Sequence, residues 1–344
     1  MQSRIASLAS LSIAVSIAAS AACAPCFAWG DDGHKIVATI GTAMLTEDAQ
    51  KALRDILGDE TVADAAVWAD KMRSDPQYDW IAPLHYINVP RNATSLDMAR
   101  DGNGGVQVVS SIIKYRDILK DTSKPKEERR LALRLLIHFV GDLHQPFHVS
   151  YKEDLGGNKL SVQSFGKKSN MHKVWDSELI RRRLNDTKGG WATMSADLRQ
   201  SITPDQLKKW TASGDPAVWA NEAFSITCLL YRDAPDARTG VDDAYFQRWQ
   251  PTLNECLKVG GVRLGTLLND ALAPGSAKAA KDAKAAKDAK SGKPAKDSKQ
   301  QAPKDEAPKD QAPKEQAPRD QAPASTPTAP KSGNTAPKQS GAPE

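Results

Sequence analysis

Residues 137–148 read IHFVGDLHQPFH, and no fold can ignore them. Leu131 to Val140 has the apolar spacing of a buried helix, yet His138, Asp142, His144 and His148 lie inside it or just beyond. Ionisable groups are costly in an apolar interior unless something holds them. His138 and Asp142 are one helical turn apart and share a face. Pro146 must then kink or end the helix, which frees His148 to return to the same point from another direction.

A second pair at one-turn spacing, His172 and Asp176, stands in MHKVWD. The chain has only six histidines, the others being His34 and His85. Asp70 falls in the amphipathic stretch VWADKMR, and His85 in PLHYINVP, which reads as extended chain between prolines. Singly, each reads as a satisfied core histidine or a salt-bridged aspartate. Taken as a set, with imidazole and carboxylate at ligand spacing, they point to a zinc site holding several ions. Cysteine-rich zinc motifs are absent, so the site is of the His/Asp, catalytic type rather than a structural one.

Around this centre the apolar period is helical nearly everywhere: VATIGTAML, EDAQKALRDIL, VADAAVWADKMR, VQVVSSIIKYRDIL, PAVWANEAFSITCLLY and TLNECLKVGGVRLGTLLNDAL. KLSVQSFG is the best candidate for a short hairpin. The expected fold is all-α, one globular domain over residues 29–273.

The two ends belong to different classes. Residues 1–28 begin with MQSR, continue through a small, apolar stretch and close on CFA, a cleavable secretory signal with Trp29 as the first mature residue. A membrane anchor is the weaker reading, because the stretch is Ala/Ser-rich and barely long enough. A lipoprotein with Cys23 lipidated is weaker still, since Ser20 stands where Leu is expected. Residues 274–344 are Lys/Ala- and Pro-rich, with no aromatic residue, and are expected to be disordered. In that tail Lys and Arg exceed the acids by five, which accounts for the chain's net charge of +5. The domain itself is near neutral, so bulk charge argues for no partner. Export takes Cys23 and Cys26 with the signal and leaves Cys228 and Cys256, for which a disulfide is the favoured reading and two buried thiols the alternative.

The pattern resembles the secreted zinc-dependent single-strand nucleases of fungi, plants and bacteria, the S-one/P-one type with mung bean nuclease. The resemblance rests on WGDDGH, WAD, HYI, HFVGDLHQPFH, GGN, HKVWD, WANEA and GVRLGTLLN, and spans Trp29 to Asn269. It implies a cleft in an all-α fold with three zinc ions. Asp70, His85, His138 and Asp142 would hold the first, and His148, His172 and Asp176 the second. The third would be shared by Asp142, His34 and the free amine and carbonyl oxygen of Trp29. His144 would pack or support rather than ligate.

The implied activity is endonucleolytic hydrolysis of single-stranded DNA and RNA to 5′-phosphate products, together with 3′-nucleotidase activity. Asp70 orients the attacking water and Arg73 neutralises the phosphate. Asn158, after two glycines, offers its amide and bare backbone N–H groups to phosphate oxygens. Tyr86 is the stacking ring and Asn88 the base-edge contact; the fungal enzymes have HFID where this chain has HYIN, which leaves base preference open. A periplasmic or secreted monomer follows, with no stable protein partner and no membrane after signal cleavage. Two rivals are weaker. A zinc phospholipase C shares the plan, but has a longer gap from the N-terminal Trp to the first His and ends its last pair in Glu. A non-catalytic zinc-binding periplasmic protein needs neither the GGN turn nor an aromatic beside His85.

Overall fold

In the computed structural model, residues 29–235 and 239–275 are described. The expected signal peptide, and the expected tail from residue 276 onward, lie outside them. The helices are α1 (Asp31–Thr42), α2 (Glu47–Leu57), α3 (Val62–Lys71), α4 (Met98–Asp101), α5 (Val108–Lys120), α6 (Lys126–Leu143), α7 (Met171–Lys173), α8 (Leu179–Asn185), α9 (Gly190–Gln200), α10 (Pro204–Trp210), α11 (Pro216–Arg232) and α12 (Asp243–Leu272). The all-α expectation holds. Two strand pairs supplement it: parallel β1 (Ile87–Val89) and β2 (Val149–Tyr151), and the hairpin of β3 (Ser161–Ser164) and β4 (Lys167–Asn170) expected from KLSVQSFG.

Local chemistry starts and stops these elements. Thr46 caps α2 by accepting from the Ala49 N–H, and Gly58 ends it at φ 65°. Thr61 caps α3 by accepting from Asp64 N–H at 3.1 Å. The helix α12 starts well before the expected TLNECL stretch. Its N-terminal turns bury Tyr245, Phe246 and Trp249, and this packing carries the helix through Pro251.

The centre of the domain is α6. Its C-terminal half, from Leu135 to Leu143, is wholly buried beneath α1, α3, α5 and α12. It stops at Leu143, three residues before the proline-led turn Pro146–His148, as the sequence demands. Against it lies α1, pressed in turn onto α12 by glycines. A Cβ on Gly261 would sit 2.4 Å from Ile40 Cγ2, and one on Gly265 only 2.7 Å from the Gly41 carbonyl oxygen. That close crossing fixes the helix that carries His34.

One expectation fails. The Cys228–Cys256 disulfide is not formed; both residues are free thiols. Cys228 is half-buried on α11 with its Sγ 3.6 Å from the Tyr151 hydroxyl, whereas Cys256 packs in the core on α12, where burial pushes its thiol up to about 12. A small secreted domain's need for a cross-link does not arise with a core of this size.

Candidate metal centre

Four backbone segments converge beneath α1. From α6 come His138 and Asp142, on one face as their spacing requires, and α3 contributes Asp70 near its end. His85 is not in extended chain as expected. It closes a 3-10 stretch, Pro76–His85, and the chain becomes extended only at β1. The three-residue register of β1 on β2 pairs Ile87 with Val149, which sets His85 beside His148. The His172–Asp176 pair runs from α7 into one π-helical turn, Val174–Glu178, a widening of the kind that recurs at functional sites.

The result is one buried cluster of five imidazoles and three carboxylates, with Asp70 the most accessible at 10% of its side chain. Three sets offer ligand atoms mutually within 4.8 Å: His34 with Asp70 and His138, His85 with His138 and Asp142, and His148 with His172 and Asp176. The last set coincides with the expected second group. The middle set is the expected first group without Asp70, whose Oδ1 is 3.9 Å from His85 Nδ1 and 3.8 Å from His138 Nε2. His34 falls with Asp70 and His138, and its Nε2 also lies 3.5 Å from Asp142 Oδ1. Trp29 is fully buried, and Gly30 N–H donates to the Asp176 carbonyl at 2.8 Å. His144 stands apart from all three sets.

Ring orientation is set by backbone carbonyls. His138, His148 and His172 donate Nδ1–H to the carbonyls of Ala66, His85 and Gly156 at 2.7, 2.8 and 2.7 Å. That fixes the tautomer and leaves Nε2 as the coordinating atom. His85 is turned the other way, its Nδ1 being 3.0 Å from Asp142 Oδ2. Both nitrogens of His34, Nε2 of His85, Oδ1 of Asp70 and Asp142 and Oδ2 of Asp176 are buried without a hydrogen-bond partner. Such atoms are costly unless a further partner satisfies them. A set of N and O donors this dense suits zinc, with bonds of about 2.0–2.2 Å.

Electrostatics agree with a cation site. Burial pushes Asp142 and Asp176 well above the carboxylate range; for Asp142 the charges of Asp70 and Asp176 add to it. Burial also raises Asp70, opposed by His138 and by Arg73, whose Nη1 is 3.6 Å from Asp70 Oδ1. His34 and His85 are held well below the imidazole value, first by burial and then by the neighbouring histidines. Neutral imidazoles and carboxylates that resist ionising alone describe a site tuned for metal.

Above the cluster opens a cleft of about 690 Å³, lined among others by Asp70, Lys71, Asn158, His172, Asp176 and Arg181. Asn158 is therefore at the cleft, but its neighbouring N–H groups are not bare as expected. Gly156 N–H donates to the Tyr151 carbonyl and Gly157 N–H to Asp154 Oδ1, both at 2.9 Å. The glycines serve a different need: at φ 62° and 79° they pass so close to Phe147 that a Cβ on either would lie 2.6 Å from it. Tyr86 and Asn88 line a separate chamber of about 290 Å³ with Gln107 and Lys152.

A profile of the family described as S1/P1 Nuclease matches residues 29–273. The chain belongs to the S1/P1 nuclease family. It is a nuclease, a hydrolase of nucleic acids. Endonuclease 2 of Arabidopsis thaliana is 34% identical to it over 263 residues, 70% of this chain and 89% of that protein. Nuclease P1 of Penicillium citrinum is 28% identical over 264 residues, 70% and 97% of the two chains, and nuclease S1 of Aspergillus oryzae 26% over 268 residues, 71% and 91%. No helix among the described residues is long and apolar enough to cross a membrane.

Sequence reasoning missed two supports of the nuclease's centre. Gln145, fully buried, donates its side-chain N–H to Asp176 Oδ1; its polar side chain between His144 and Pro146 was the available signal. Asp154, just ahead of GGN, ties Gly157 to the Tyr231 hydroxyl (2.8 Å) and to Arg91 (2.7 Å). His144, by contrast, is held by partners outside the cluster. Its Nδ1–H donates to the Val140 carbonyl at 2.7 Å and its Nε2 accepts from Arg263 at 3.1 Å, while burial and that guanidinium lower it to about 3.

Proposed function

We propose that this nuclease is an exported, zinc-dependent, monomeric endonuclease that hydrolyses single-stranded DNA and RNA to 5′-phosphate products and also acts on 3′-nucleotides. The observation that carries the reading is the cluster of eight His and Asp side chains that reaches the 690 Å³ cleft through Asp70, His172 and Asp176, in a chain of this family. Three zinc ions suit it. One would be held by Asp70, His85, His138 and Asp142, one by His148, His172 and Asp176, and one by Asp142, His34 and the amine and carbonyl of Trp29. Bound zinc supplies a water of lowered pKa and positive charge against phosphoryl and leaving oxygens.

The chain's own residues do the rest. Asp70 presents a carboxylate at the cleft, where it can orient the attacking water and receive its proton. Arg73, held beside it, neutralises charge growing on the phosphoryl oxygens. Asn158 offers a side-chain amide at the rim. Tyr86 stacks a base and Asn88 reads its edge from the neighbouring chamber, a mode tolerant of sequence. A metal cluster this deeply buried requires a splayed backbone, which favours single strands over stacked duplex. The organisation proposed with it is a signal peptide at 1–28, the nuclease domain at 29–273 and a disordered tail at 274–344.

The test pairs metal analysis of protein starting at Trp29 with assays on denatured DNA, RNA, duplex and phosphatidylcholine. Three zincs, single-strand cleavage and 5′-phosphate ends are expected. Lipid hydrolysis would make it a phospholipase, and zinc without turnover a binding protein.

A further inference from the structure

Gln145 is completely buried, yet it is a polar amide in a position where an apolar side chain would be cheaper to bury. Both ends of the amide are used. Its Oε1 accepts from the Phe147 N–H at 2.6 Å, and its Nε2–H donates to Asp176 Oδ1. The assignment of the two ends follows from chemistry: Phe147 N–H can only donate, so the oxygen must face Phe147, which leaves the nitrogen to face Asp176.

Each bond acts on a different member of one group. The Phe147 bond caps the short 3-10 turn Pro146–His148, which determines where His148 projects. The same turn is braced from the backbone, His148 N–H donating to the Gln145 carbonyl at 2.9 Å. The Asp176 bond engages Oδ1, which stands 4.0 Å from His148 Nε2, and leaves Oδ2, 3.3 Å from His172 Nε2 and otherwise unpartnered, turned toward His172. Asp176 lies in the π-helical turn, where helix geometry alone holds a side chain less firmly.

We propose that Gln145 is the positioning residue of the His148/His172/Asp176 group: a single amide that sets the direction of His148 and selects which oxygen of Asp176 faces the metal. The proposal rests on the three-zinc reading above. Outer partners that orient ligands in this way are worth about 10–100-fold in metal affinity.

Three variants separate positioning from folding. Gln145→Glu keeps the length and the cap on Phe147 but replaces the N–H donor that faces Asp176. Gln145→Asn keeps an oxygen for the cap and is too short to reach Asp176. Gln145→Met loses both bonds. The readouts are zinc content of protein starting at Trp29 during stepwise chelator competition, the visible spectrum after cobalt(II) replacement, and melting temperature in excess chelator. Gln145→Asn should melt in chelator as the parent does and Gln145→Glu lower, because it sets a second buried carboxyl beside Asp176; both should lose one of three ions at about 10–100-fold less chelator, with altered cobalt bands. Gln145→Met should show the same metal defect and also melt lower. Parent-like zinc retention and spectra in both capped variants would overturn the proposal, because a purely capping residue behaves that way. Simultaneous loss of all three ions would overturn it too, as would a parent that binds only one or two. A parent with no zinc would instead sink the three-zinc reading and take the positioning role with it.

Discussion

Asp142→Asn should stabilise the metal-free nuclease and weaken the metal-loaded one. Asp142 is fully buried, with His85 Nδ1 at 3.0 Å, His138 Nε2 and His148 Nδ1 at 3.4 Å and His34 Nε2 at 3.5 Å. Those imidazoles do not neutralise it: burial holds His34, His85 and His138 below their ordinary pKa, so at neutral pH they carry no charge. Without metal the carboxylate is a liability, and its pKa is raised accordingly. A carboxyl that can escape by taking a proton costs at most about 4 kcal/mol at pH 7, the distance from an unfolded pKa near 3.9 at about 1.36 kcal/mol per unit. Asparagine has the same shape and no charge. In excess chelator the variant should therefore melt between level with the parent and about 16 °C higher, taking about 2–4 °C per kcal/mol for a domain of this size.

Zinc reverses the order. Each site filled at about 100 times its Kd adds about 2.7 kcal/mol, so three sites raise the parent by about 16–32 °C. The variant, short of the carboxylate that the proposed arrangement shares between two sites, should keep one such increment, about 5–11 °C. The pH dependence has a definite sign. A raised carboxyl stabilises the fold below its unfolded pKa and loses that contribution as pH rises through its folded value. The metal-free parent should accordingly lose more stability than the variant between acid and neutral pH. Scanning calorimetry with and without zinc measures all of this. A variant that melts lower than the parent in chelator, yet gains as much from zinc, would refute the account of Asp142 as a stability cost retained for binding.

Gly141→Ala would place a Cβ 2.8 Å from His34 Nδ1, so it should loosen one zinc, read as earlier release to chelator, and lower the apo melting temperature by a few degrees. Protein starting at Trp29 should show two thiols on unfolding without reductant and none reactive at Cys256 while folded, as thiol titration will show; a count of zero would restore the disulfide. One extra residue ahead of Trp29 converts its α-amine to an amide, so one zinc and most activity should be lost; equal zinc and equal turnover would remove Trp29 from the ligands. Truncation after Ala273 should leave activity on a dinucleotide within a few-fold, and any loss on long single strands should vanish as salt rises.

Much of the centre was legible because its members obey helical arithmetic. His138 with Asp142, and the break at Pro146, follow from period and proline geometry on a single element, and the helix α6 obeys both. The π-helical turn between His172 and Asp176 was not legible, since a one-residue widening leaves a four-residue spacing unchanged in sequence.

What periodicity cannot carry is a contact between segments far apart in the chain. Strands of three residues such as β1 and β2 are too short for alternation to register, and β2 is buried on both faces. Yet this pair places the His85 carbonyl at the ring of His148 and so joins the two halves of the cluster. The GGN turn shows the same limit from the other side. Its glycines invited a reading as phosphate-binding N–H groups, because a bare backbone looks alike in sequence whether it faces a ligand or a neighbouring side chain. Only packing separates the two cases, and here Phe147 occupies the side where the Cβ atoms would stand. The carbonyl that this tight passage exposes, that of Gly156, is the one that fixes His172. Residues chosen for steric reasons thus orient a ligand, which is why the signal for binding sat in the histidines and the signal for geometry in the glycines and Gln145 between them.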